Sequence, residues 1–281
     1  MKSTKTGKLA AAIALIIGAS CALGAAACNK NSKDPASVKV DEAGWTAAFE
    51  KTLTCLNFTM EYSENSSYET VSPDKTSSSQ QNKTDGISYI TENVCHSKGT
   101  NIQQFAGKDY NNVKERISEG YLIFEDKNFY NCGKLTFKEN GVAEEEDWSV
   151  NYSYSYEEKG KEQAISEIWS NRLLLYVKDK FNLSSYKDGA YYIQLNESNS
   201  TNTDYKVQKI WLKFNSDGYI TYFKNELNQQ YIDIDYSDVN NTVKVNSDCE
   251  IKLYGFGKTN SPTIPYAVQK TVDGYKAEIK G

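Results

Sequence analysis

The chain has one histidine, His96, directly after Cys95, and a Cys–His pair would be the shortest route to an activated nucleophile. Residues 86–96 read as a strand, where neighbours point to opposite faces, so the adjacency does not make a dyad. Cys55, Cys95, Cys132 and Cys249 show no C-x-x-C spacing, and one histidine does not complete a zinc set. The same four thiols allow three disulfide connectivities, among which the sequence does not choose. Asp233, Asp235 and Asp238 suggest calcium chemistry. No EF-hand spacing is present, however, and 233 and 235 read as the outer face of a strand whose inner face is Ile232, Ile234 and Tyr236. Glu144-Glu145-Glu146-Asp147 reads as a solvated charge run. There is no G-x-S-x-G elbow, no H-E-x-x-H, no phosphate-cradling glycine loop and no dinucleotide fingerprint. With 37 acidic residues, a glycosidase-type carboxylate pair has no discriminating power. The expectation is a non-enzyme with no catalytic residue, no metal and no cofactor.

One thiol does carry a specific chemistry. Lys2, Lys5 and Lys8 precede an apolar run over residues 9–17, too short to span a bilayer, and small residues then lead to Ala26-Ala27-Cys28. The pattern resembles the bacterial lipobox, in which the cysteine thiol is acylated and becomes the first mature residue. Ala25 stands where that motif favours Leu. The expectation is a signal peptide over 1–27, lipidation at Cys28, a polar tether over 28–37, and a protein held on the extracytoplasmic face of the cell membrane. Stable anchoring takes more than one acyl chain, as bacterial lipoproteins carry.

The rest of the chain must be a domain that folds outside the cytoplasm. Net charge is −5 and no basic cluster occurs, which argues against a nucleic-acid partner. With 21 Tyr, two Met and four Pro, the composition is that of a strand-rich exported protein. Residues 38–56 read as an amphipathic helix: Asp41 is a candidate N-cap, and Trp45, Ala48, Phe49, Thr52, Leu53 and Leu56 form one face. Phe58, Met60 and Tyr62 then alternate as a strand. Residues 63–86 are Ser/Thr/Asn/Gln-rich and read as a long hairpin tip or loop, and residues 111–118 as a short helical turn. Trp148, Val150, Tyr152, Tyr154 and Tyr156 read as one strand face. Residues 161–181 give the strongest helical periodicity, with Ile165, Ile168, Trp169, Leu173, Tyr176 and Val177 on a stripe that Leu174 and Leu175 widen. A helix so apolar needs cover on several sides. Short strands follow at 190–195, 207–214, 219–225, 231–236, 242–245 and 250–256. Asn215-Ser216-Asp217-Gly218 is a tight turn between two of them.

Two stretches carry a family resemblance. Lys209-Ile210-Trp211-Leu212-Lys213-Phe214 with Asp217-Gly218-Tyr219-Ile220 resembles a charged-apolar strand, D-G turn and return strand. Ile251-Lys252-Leu253-Tyr254-Gly255-Phe256-Gly257-Lys258 with Ile264-Pro265 resembles the closing strand and I-x-x-P-like ending of the same group. That group is the Lol-type lipoprotein carriers and mycobacterial lipid-binding lipoproteins. The resemblance implies an α+β fold. A large curved antiparallel sheet forms an open half-barrel, with an N-terminal helix and the mid-chain apolar helix on its concave face. It implies one domain over 38–265, with 266–281 as a C-terminal extension. It also implies a hydrophobic ligand such as a lipid; the family pattern transfers no lining residue, and the apolar stripe Ile165, Ile168, Trp169, Leu173 and Tyr176 is the candidate surface to hold it. The alternative is a surface interaction or structural lipoprotein whose core is filled, with Tyr-rich strands that bind protein or glycan.

Overall fold

The computed structural model describes residues 37–108, 110–125, 127–155, 172–198, 204–234 and 240–280. Its first element is helix α1, Glu42–Leu53. The Asp41 side chain accepts a hydrogen bond from the Gly44 N–H at 2.8 Å, which satisfies one of the donors left open at a helix start. Trp45, Ala48, Phe49 and Thr52 form the buried face, as their spacing predicts.

Twelve strands follow, all in one antiparallel sheet. Strands β1 (Phe58–Val71), β2 (Ser77–Ile90), β3 (Val94–Gly107), β4 (Tyr110–Glu125) and β5 (Asn128–Glu139) form a meander. The outer edge of β5 is shared by β6 (Val142–Glu145) and β7 (Ser149–Ser155). A second meander comprises β8 (Ser184–Lys187), β9 (Ala190–Ser198), β10 (Tyr205–Phe214), β11 (Ile220–Ile234) and β12 (Asn240–Tyr254). The two join where β12 pairs with β1, Thr59 opposite Tyr254 through Val71 opposite Thr242. The path is β6-β5-β4-β3-β2-β1-β12-β11-β10-β9-β8, and it does not close, so the architecture is an α+β open half-barrel. Among the described residues the other α-helices are α2 (Arg172–Val177) and α3 (Tyr266–Lys280).

Several stretches differ from the sequence expectation. Of the two readings of residues 63–86, a long hairpin tip or a loop, the structure has the hairpin: β1 and β2 run through them, and only 72–76 turn, closed by Ser72 N–H to Thr76 O and by Asp74 accepting from the Thr76 N–H and hydroxyl. Residues 111–118 are strand, not helix. The stretch 86–96 is broken at 91–93, where the Thr91 hydroxyl donates to Val94 O at 2.7 Å and starts a new strand. Four short strands between 219 and 256 are two long ones, β11 and β12. Asn140-Gly141 and Asp188-Gly189 both have positive φ in two-residue hairpin turns, the conformation that favours Asn/Asp-Gly. Asn215–Gly218 turns as expected, with Gly218 at φ 77°.

The core lies at one end of the sheet. Phe58, Ile90, Cys95, Leu122, Phe124, Phe129, Ile193, Ile210, Leu212, Phe214, Phe223, Ile251 and Leu253 line one face there and pack on α1 and on Leu174 and Val177 of α2. Neighbouring residues on the other face, Val94, Tyr121, Ile123, Tyr130 and Cys132, pack on Val268 and Val272 of α3. The stretch Tyr266–Lys280 is thus a packed helix. A bulge at Asn131/Cys132 explains why β7 does not keep one face. Trp148 and Val150 join the α3 side, while Tyr152 packs on the α1 side.

Candidate functional site

The residues expected to hold a ligand divide between what is described and what is not. Ile165, Ile168 and Trp169 lie outside the described residues, as do Cys28, Asp235, Tyr236 and Asp238. Leu173 belongs to α2. Tyr176 is 40% exposed, with the Lys180 ammonium 4.3 Å above its ring, while Leu174 and Val177 take the buried positions. Register also reverses one face of β11. Tyr231 pairs with Val243 and Asp233 with Asn241 on the face that carries Phe223, so Ile232 lies on the other face and is 39% exposed.

The face beside α1 is filled at its apolar end. Trp45 is fully buried, its ring centroid 5.3 Å from those of Phe49, Tyr191 and Phe214 and 5.7 Å from that of Phe181. Its indole N–H donates to Lys178 O at 2.7 Å. The Thr52 hydroxyl accepts from the Ile220 N–H at 2.9 Å, and Val38 N–H bonds to Phe214 O at 2.8 Å, clamping both flanks of the helix. Beyond this apolar end the same face turns polar. In register come Met60, Ser88, Ser97, Gly120 and Gly133, then Tyr62, Gly86, Gly99, Ser118 and Leu135, then Glu64, Thr84, Asn101, Arg116 and Phe137, a face on which polar groups outnumber apolar ones. These polar groups bond to one another: Ser88 with Ser97 at 2.8 Å, Asn101 to Thr84 at 2.9 Å, Gln208 to Asn225 at 2.6 Å. An acyl-chain cavity needs an apolar lining; among the described residues this wall is mixed, with Val243, Val245 and Leu227 beside the amides.

The opposite face carries a hollow. Six strands, β3, β2, β1, β12, β11 and β10, border a trough of about 870 Å³ lined by Asn65, Ser67, Gln81, Lys83, Ile102, Gln104, Val207, Lys209, Glu226, Asn228, Asn246 and Asp248. A second hollow of about 740 Å³ shares Ser67, Gln81 and Asn246 and extends it toward the β1–β2 turn. The long strands create it. Fourteen residues at strand rise extend about 45 Å, so β1, β2 and β3 outrun the apolar core and leave their far ends wet on this face. Ionic groups around the trough are compensated locally. Lys224 meets Glu226 at 2.9 Å and Asp248 at 3.4 Å, and the bond to Glu226 raises its pKa; Lys83 meets Asp85 at 3.5 Å. Asn228 donates to Asn246 at 2.7 Å.

The same face continues from the trough into an aromatic shelf. Trp211 follows Lys209 on β10. Its ring lies 5.3 Å from that of Tyr192, and the Lys224 ammonium is 5.4 Å above it. Tyr222 carries Lys213 at 5.0 Å and donates to Glu250 at 3.3 Å; burial, then the Glu250 charge, pushes its hydroxyl up to about 12. Sequence reading missed this shelf because it assigned Trp211 only to a hairpin. The available signal was a Trp out of phase with the buried Ile210, Leu212 and Phe214.

His96 and the cysteines are structural in their geometry. His96 lies between Tyr89 and Tyr121, stacked on the latter at 4.2 Å and bonded to Glu119 at 2.8 Å. Burial lowers its pKa, partly offset by Glu119. Glu119 also meets Lys98 at 2.9 Å, and these two bonds outweigh burial to hold its pKa low. All four described cysteines are free thiols. Cys95 and Cys249 share a face but stand three strands apart, about 14 Å across the sheet, and six residues apart along it, and Cys132 lies on the other side of the sheet. Burial pushes Cys132 up to about 11 and Cys249 up to about 12, which disfavours the reactive thiolate.

No helix among the described residues is long and apolar enough to cross a membrane. Among those residues, no group of His, Cys, Asp and Glu could hold a metal. No family description matches the chain, and no curated protein matches it. Among solved structures it is similar to a beta-barrel-like protein of domain of unknown function DUF1849 from Brucella abortus. The identity is 8% and the TM-score 0.30, over 71% of this chain and 99% of that one. A likeness of that size carries over no function.

Proposed function

We propose that the chain is a lipid-anchored extracytoplasmic binding protein, held at the membrane through Cys28, whose binding element is the polar trough of the open sheet. The observation that supports this reading is the contrast between the two faces. Where α1 packs, the face is occupied by Trp45 and Phe49, and farther along its polar groups, Thr84, Ser88, Gln208 and Asn225 among them, are buried. The trough, by contrast, is open and built from side chains that the core does not require. A carrier of acyl chains is served better by an apolar pocket than by a trough of amides and charges. Partners of such a surface are uncharged or mixed-charge polar molecules outside the cytoplasm.

The test is retention of the full chain on the insoluble cell-envelope fraction. Asn246 lies opposite Ser67 at the trough floor, and Asn246→Trp fills the hollow. Retention is expected to fall about tenfold with an unchanged thermal midpoint. Undiminished retention would remove the trough from the reading. So would lipid found on the protein by native mass spectrometry after purification without detergent, which returns it to the carrier class.

A further inference from the structure

We infer that the ligand of the trough is an uncharged polysaccharide chain lying across the strands, with Trp211 as its stacking platform. The inference rests on the trough being the binding element. Four properties of the site converge on a sugar. First, the lining is rich in amides: Asn65, Gln81, Gln104, Asn228 and Asn246 each offer both a donor and an acceptor, which matches a ligand whose hydroxyls do the same. Second, the shelf beside it presents a Trp and two Tyr on the solvent side of the sheet, where core packing does not call for them. One face of a pyranose ring is a patch of C–H groups that packs on such rings, while its rim of hydroxyls stays available to amides.

Third, the charges balance. The lining carries Lys83 and Lys209 against Glu226 and Asp248; Lys224 bridges those two acids and Lys83 meets Asp85, so neither sign dominates the site. Fourth, the shape is that of a channel. The trough crosses from β3 to β10, about 24 Å at ordinary strand spacing, and continues into a second hollow, so it suits a chain better than a compact metabolite. A peptide fits less well. Peptides commonly bind sheets by adding a strand at a free edge, and β1, β2, β3, β10, β11 and β12 all have both edges paired. A lipid tail would meet amides and ion pairs set among the carbon atoms of the lining, whereas a sugar presents both hydroxyls and C–H faces to such a mixture.

The experiment titrates the full chain with three pentasaccharides: a neutral hexose pentamer, an N-acetylhexosamine pentamer and a uronic acid pentamer, read by calorimetry and tryptophan fluorescence. Saturable binding of at least one uncharged pentamer is expected, changing less than about twofold between low and high salt. Trp211→Ala and Asn246→Trp should each weaken it by about tenfold or more, whereas Trp211→Tyr should keep it within about threefold. Tyr266→Ala, on the exposed end of α3, should leave it unchanged. Thermal midpoints of all variants separate lost binding from lost fold. The inference is overturned if neither uncharged pentamer binds, if binding survives both substitutions, or if the uronic pentamer binds best. If envelope retention still responds to Asn246→Trp while no uncharged pentamer binds, the saccharide assignment fails and the trough reading stands. If retention does not respond, both fall.

Discussion

Trp45 shows how one side chain fixes the apolar end of the sheet, touching rings from its own helix, from β9, from β10 and from the 3₁₀ turn Phe181–Leu183. Trp45→Ala leaves a void that rigid strands cannot collapse into, and should cost about 3–5 kcal/mol, read as a lower urea midpoint with the slope preserved. His96 makes a prediction of a different kind. Its pKa is lowered in the folded protein, chiefly by burial, so below its unfolded value near 6.5 the unfolded chain binds the proton more readily. Stability from this group is therefore complete above that pH and is lost as pH falls through the lower folded value; Glu119, also lowered, adds a loss at still more acid pH. The thermal midpoint should drop between about pH 7.5 and about pH 5.5, and His96→Phe should flatten that slope. At this scale the sequence was legible wherever one residue type has one job: Asp41 as a cap, Trp45 as a core anchor, Gly218 in a turn. It was not legible for the thiols, whose separation depends on which strands lie between them.

At the scale of elements, the length of the strands decided what could be read. α1 was predictable because a polar/apolar contrast repeats every 3.6 residues along it. β1 and β2 were hidden over 63–86 because Ser, Asn and Gln occupy both faces there, so no alternation marks the period and composition reads as loop. Ladder pairing with β12 and β3 supplies the backbone bonds that make those residues extended. The β5–β7 bulge is equally invisible, since one unpaired residue flips the face of every later side chain. α3 was overlooked because its apolar stripe is thin, yet Val268 and Val272 are fully buried against Tyr121, Ile123 and Tyr130. The Lys276–Glu125 ion pair and the bond between the Tyr275 and Ser153 hydroxyls add directional contacts. Ending the chain after Pro265 should cost about 3 kcal/mol or more and expose the outer face of β4 and β5. Hydrogen exchange should quicken in those two strands and not in β10 and β11; uniform protection would mean the helix is dispensable.

For the whole molecule, the open sheet sets the geometry of the trough, and the proposed anchor at Cys28 is tested separately. Cys28→Ala should abolish incorporation of a fatty-acid analogue and release the protein from the membrane; label that persists on the variant would place the lipid elsewhere. The pairing of β1 with β12 has a consequence for how the protein is made. Thr59 must find Tyr254, so the middle of the sheet joins the first of its strands to the last. Contacts that distant in sequence fold slowly, because loop-closure entropy is lost before they form. A chain exported N-terminus first would complete the β1–β5 meander while the free side of β1 waits for its partner. That side is then an exposed edge of N–H and C=O groups. From Asn65 through Ser66 and Ser67 to Tyr68 it has no charged side chain to turn away the wrong strand.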